Sequence, residues 1–134
     1  MKKILTEISA GELLDKLSIL EIKLEEIKNP NLLQKIKKEY DTLNETKNNN
    51  INSSNKIDIL YKNLKEINKR LWKIENEKRL CEKNSDFNDK FIQLARDVYI
   101  TNDKRSKTKL EINKSWTQIY KKLNSILNTD LYFE

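Results

Sequence analysis

Histidine is missing from this 134-residue chain, and glycine, proline, cysteine and methionine occur once each. With no His and only Cys81, one chain cannot build a disulfide, a Cys/His zinc site, a Ser-His-Asp triad or a Cys-His nucleophile pair. Neither a metal site nor a cofactor is expected. A lone Gly11 and a lone Pro30 leave little material for tight turns, which favours a few long helices over sheets. No apolar run reaches the roughly 18 residues of a membrane span. Behind Lys2 and Lys3, Glu7 and Glu12 interrupt any stretch long enough for a secretory leader, so a cytoplasmic protein is expected.

Charge is plentiful. Lys and Arg number 27 against 21 Asp and Glu, a net charge of +6. Yet only Arg70, Arg79, Arg96 and Arg105 are arginines, and glutamates are scattered among the lysines. Phosphate-backbone readers concentrate Arg and Lys on one face, so nucleic acid is not the expected partner.

The apolar residues fall at helical spacing, and the whole of residues 1–134 reads as one all-α domain, an antiparallel bundle of four to five helices. Ser9 with Glu12 is a capping box opening helix 1, whose seam is Leu13, Leu17, Leu20, Leu24 and Ile27. Ile19 and Ile22 make that helix apolar on a second side, which predicts neighbours on both. Asn29-Pro30 ends it and opens helix 2, with Leu33, Ile36, Tyr40 and Leu43 in register to about Lys47. Residues 48–54 read as a polar surface loop. Helix 3, expected to be the longest, carries Ile57, Leu60, Leu64, Ile67, Leu71, Ile74, Lys78 and Cys81 on one seam. Asn84 or Ser85 should cap helix 4, with Phe87, Phe91, Leu94 and Val98 inward. Thr101 or Asn102 should break and recap the chain before helix 5, which runs to about Leu127. Residues 128–134 form a C-terminal tail whose Leu131, Tyr132 and Phe133 are apolar enough to dock.

One seam carries charge where grease is expected. Arg105 and Lys109 continue the stripe Ile112, Trp116, Ile119, Leu123 and Ile126 at alternating spacings of four and three residues. Buried cations need partners, and a partner can be a ligand. Helix 1 offers Glu12, Asp15, Lys16 and Lys23; helix 3 offers Glu75, Lys78 and Arg79, with Trp72 beside them; helix 5 adds Asn102, Asp103 and Asn113. With Asn102 and Asp103 at a helix start, backbone N–H groups would join the site. Two arrangements satisfy such a cluster. It can bind an anion, or it can be an internal network in which Glu12, Asp15 and Glu75 neutralise Lys78, Arg79, Arg105 and Lys109. Trp72 and Trp116 likewise fit either core packing or ligand stacking.

Three blocks, Ile8 to Lys23, Leu71 to Glu75 with Arg79, and Phe91 to Arg105 continuing through Lys109, Ile112 and Asn113, resemble a small bacterial family known only as a domain of unknown function. In place of that family's short Gly-Ser and acidic, Tyr-containing end, residues 114–134 continue a helical pattern. The resemblance brings no activity with it, though related segments accompany glycosyltransferases and cell-surface polysaccharide genes. It includes Glu12, Asp15, Lys16, Lys23, Trp72, Glu75, Arg79, Asn102, Asp103, Arg105, Lys109 and Asn113 among its motif residues. Trp72 and two asparagines exceed what a pure ion-pair network needs, so those twelve residues are the expected ligand-binding set.

The first reading is therefore a helical bundle holding a small anionic or phosphorylated ligand between helices 1, 3 and 5, with no catalytic set identified. A second is a non-catalytic interaction module, a homodimer or an accessory subunit tied to polysaccharide synthesis. A third is a magnesium-dependent phosphohydrolase, for which the inward acidic residues are few and the cations many.

Overall fold

The computed structural model describes residues 2–133, with side chains to residue 127. Four α-helices and no strand occur among them: α1 (Ala10–Glu26), α2 (Pro30–Asn50), α3 (Asn55–Lys83) and α4 (Asp89–Phe133). The expected helical bundle is present. Its longest element is α4, not α3: 45 residues, or roughly 67 Å at about 1.5 Å per residue.

Local chemistry explains the boundaries. The Ser9 side chain accepts the Glu12 N–H and caps α1, and Asn29 accepts from Asn31 and Leu32 ahead of Pro30. Ser54 caps α3 through the Ile57 N–H. At the far end of α3, Ser85 takes the left-handed conformation (φ 52°) that usually belongs to glycine, and the Asp86 N–H closes onto the Cys81 carbonyl. Neither Asn84 nor Ser85 caps the next helix; Asn88 does, accepting from the Lys90 N–H. Phe87, expected inward, lies in the turn before α4 and is exposed.

Two other boundaries differ from expectation. The helix α2 runs to Asn50, so the connection shrinks to residues 51–54, and Ile51 is buried in the core. The break expected at Thr101 or Asn102 does not exist. Thr101 is buried mid-helix, and residues 89–133 hold no Gly or Pro that would interrupt the hydrogen-bond ladder.

Helix α1 touches all three others, as its two apolar sides require. The main core gathers Leu13, Leu14 and Leu17 with Ile51, Ile57, Leu60, Leu64 and Ile112. A second small core, Ile74, Cys81 and Leu94 with Phe91 and Val98, joins α3 to α4 near their connecting turn. The docking expected of Leu131, Tyr132 and Phe133 falls outside the described side chains.

Gly11 fixes how closely α1 meets α4. A Cβ there would stand 2.6 Å from the Lys109 carbonyl oxygen and 2.9 Å from Asn113 Oδ1. The first contact is with helical backbone, which cannot swing aside, so only glycine fits. The chain spends its single glycine on a helix crossing, not a turn.

Candidate functional site

Where α1, α3 and α4 meet, opposite charges share a partly dry junction. Asp15 is only 2% exposed. Its Oδ1 accepts from Arg105 Nε and from Asn68 Nδ2, both at 2.9 Å, and its Oδ2 accepts from Arg105 Nη2. Asn68, itself 4% exposed, donates its second hydrogen to Ser18 Oγ at 2.7 Å, and that hydroxyl donates to the Asp15 carbonyl. The chain of donors closes on itself. Among the described side chains no buried nitrogen or oxygen lacks a partner.

Burial pushes the Asp15 carboxyl up. Hydrogen bonds from Arg105 and Asn68, with the charges of Arg105 and Lys109, outweigh that effect and hold the group below its usual value. The bond to Asp15 in turn raises Arg105 against its own desolvation. One turn along α1, Glu12 reaches across to Lys109, and next to it Asn113 Oδ1 accepts the Gly11 N–H at 2.7 Å. A first-turn donor of α1 is thus capped from another helix.

The pairing of Asp15 with Arg105 is incomplete in a useful way. A guanidinium has five N–H donors; the Nε and Nη2 edge is spent on Asp15, which leaves Nη1 and the outer Nη2 hydrogen. The Arg105 side chain is 29% exposed, and it lines a cleft of about 210 Å³ together with Asn68, Trp72, Glu75, Asn76 and Arg79. Arg79 has no ion-pair partner among the described residues. Glu75 makes a loose contact with Lys78 at 3.8 Å.

The twelve expected residues therefore divide. Trp72, Glu75, Arg79 and Arg105 converge on the cleft, with Asp15 behind Arg105. Glu12, Lys109 and Asn113 join α1 to α4 and do not line it. Lys16 is exposed, and Lys23 forms no ion pair among the described residues. Asn102 and Asp103 lie within a continuous helix, so the backbone donors expected of a helix start are already used.

Asn68 and Ser18 escaped the sequence reading, as did a second polar node. Glu21 accepts from Tyr61 Oη at 2.6 Å and Tyr40 Oη at 3.4 Å and pairs with Lys65 at 3.0 Å, linking three helices. Burial, then the bond to Glu21 and its charge, raise the Tyr61 hydroxyl far above its ordinary value. Tyrosines at 40 and 61 stand on helical seams where Phe would serve, and the hydroxyl was the available signal.

Among the described residues no three His, Cys, Asp or Glu side chains gather as a metal site would require, and no helix is long and apolar enough to cross a membrane. The model of a family of unknown function (DUF6165) matches residues 3–132, and the chain belongs to that family. The match includes the helical stretch after Asn113, where the resemblance alone had the chain depart from its relatives. No curated protein and no solved structure matches the chain.

Proposed function

We propose that this member of the family binds a small anionic or phosphorylated ligand in the cleft between α1, α3 and α4. The reading rests on one observation: Arg105, locked by Asp15 through one edge with donors to spare, lines the same cleft as the unpaired Arg79. A guanidinium held rigid before the ligand arrives loses little freedom on binding. Two of them lining one cleft can grip phosphate oxygens bidentately. Trp72 supplies a flat apolar wall and Glu75 an acceptor. The protein is taken as cytoplasmic in this reading, and no catalytic residue is assigned to the cleft.

Thermal unfolding against a panel of phosphate compounds tests this. At a hundredfold excess over its dissociation constant, a one-to-one ligand adds about 2.7 kcal/mol to stability. A panel that leaves the melting temperature unmoved removes the proposal.

A second reading is favoured by the last third of α4. Its seam passes from Ile112, fully buried, through Trp116 and Ile119 to Leu123 and Ile126, the latter 50% exposed. Heptad spacing carried into a stretch no described residue covers is what a helix pairing with a second copy of itself needs. In this reading the protein is a homodimer joined through α4.

A further inference from the structure

The anion cleft shares a wall with a larger one. Next to it lies a cavity of about 520 Å³, bordered by Glu25, Glu26, Lys69, Lys73, Glu77 and Leu80. Ile22, Trp72 and Asn76 border both cavities. The two differ in their cations and in their carboxylates. Both guanidiniums line the smaller, with Glu75 as its one acid, whereas the larger has no arginine and carries three carboxylates, Lys69 and Lys73, and the apolar surface of Ile22, Trp72 and Leu80. Glu25 is engaged by Lys65 at 2.7 Å, but Glu26 and Glu77 have no ion-pair partner among the described residues, and the indole N–H of Trp72 makes no hydrogen bond there.

A cavity of this kind suits a ring that presents a face and carries hydroxyl groups. The ring lies on the indole, and its hydroxyls donate to the carboxylates. Inorganic phosphate would leave that space to water. We infer that the ligand is the phosphate monoester of a hydroxyl-bearing ring, its phosphate between Arg79 and Arg105 and its ring passing over Trp72 toward Glu26 and Glu77. Sugar phosphates and nucleoside monophosphates share this chemistry. The inference rests on the anion-binding reading above and adds the ligand's second half to it.

Calorimetric titration of the full chain with inorganic phosphate, ribose phosphate, glucose phosphate, adenosine monophosphate and free ribose separates the two claims. At least one ring phosphate should bind about tenfold or more tightly than inorganic phosphate, and free ribose should not bind measurably. Comparing the sugar phosphates with adenosine monophosphate then assigns the ring. Glu77 lines the larger cavity alone, so Glu77→Gln should weaken the preferred ring phosphate severalfold and leave inorganic phosphate within about twofold, and Trp72→Leu should weaken the ring phosphate at least as much. Should Trp72→Leu lower the melting temperature, the isosteric change Glu77→Gln at a half-buried position decides the matter alone. Ring phosphates binding no better than inorganic phosphate would overturn the two-part ligand and leave the anion site standing. Binding by none of the compounds would overturn both.

Discussion

Asp15 satisfies Arg105 without consuming it, and the site depends on that arithmetic of donors. Removing the carboxylate should strand a guanidinium in a partly dry junction and leave one of the two Asn68 amide hydrogens without its acceptor. Breaking a buried pair costs about 3–5 kcal/mol; because Arg105 reaches solvent, Asp15→Ala should cost nearer about 2–3 kcal/mol in chemical denaturation. The same pair sets the acid limb. Asp15 is held below its usual value in the fold, so its contribution is complete above the unfolded carboxyl pKa of about 4 and fades as pH falls through the lower folded value. Asp15→Asn should flatten that limb in acid-titrated melting curves. Tyr61 works in the opposite range. With its hydroxyl raised in the fold, stability is intact below about pH 10 and declines as pH climbs from the unfolded pKa toward the folded one. Tyr61→Phe should remove this alkaline loss.

The charged half of this junction was legible in the sequence because spacing carries it. Arg105 and Lys109 interrupt an apolar seam, and Glu12 and Asp15 face them from a capped helix. Asn68 was not legible. It stands one place after Ile67 on the α3 seam, and the helix buries Leu60, Leu64, Asn68 and Ile74 while leaving Ile67 half-covered. An uncharged amide at that position resembles a surface residue until Asp15 and Ser18 are seen opposite.

For the helices themselves, caps were readable and continuity was not. Ser9, Asn29 and Pro30 act through contacts within one turn, so their meaning is local. Thr101, Asn102 and Asp103 have the composition of a helix start, yet α4 passes through them with Thr101 packed inward; tertiary burial outweighs the weak local preference for a cap. The helix crossing at Gly11 was equally silent, because a glycine at the second position of a helix signals nothing by itself. Gly11→Ala should force α1 away from the Lys109 carbonyl and cost about 1–3 kcal/mol. The shift should also loosen the Glu12–Lys109 and Asn113–Gly11 contacts, which exchange of the Gly11 amide hydrogen would report.

At the scale of the molecule, α4 is the spine: it carries the second small core at one end, the charged junction in the middle and an uncovered apolar seam at the other. If two copies join by that seam, wild-type protein sediments as a dimer and Ile126→Glu as a monomer with an unchanged ligand response. A wild-type monomer at high concentration would end that reading.

The binding claim meets its most direct test in Arg79, which borders the cleft yet supports nothing else. Titrating phosphorylated compounds into wild type and Arg79→Ala by calorimetry should show saturable binding to the first. The second should bind at least about tenfold more weakly, with its ligand-free melting temperature preserved. Equal affinities for the two proteins would contradict the assignment of the cleft.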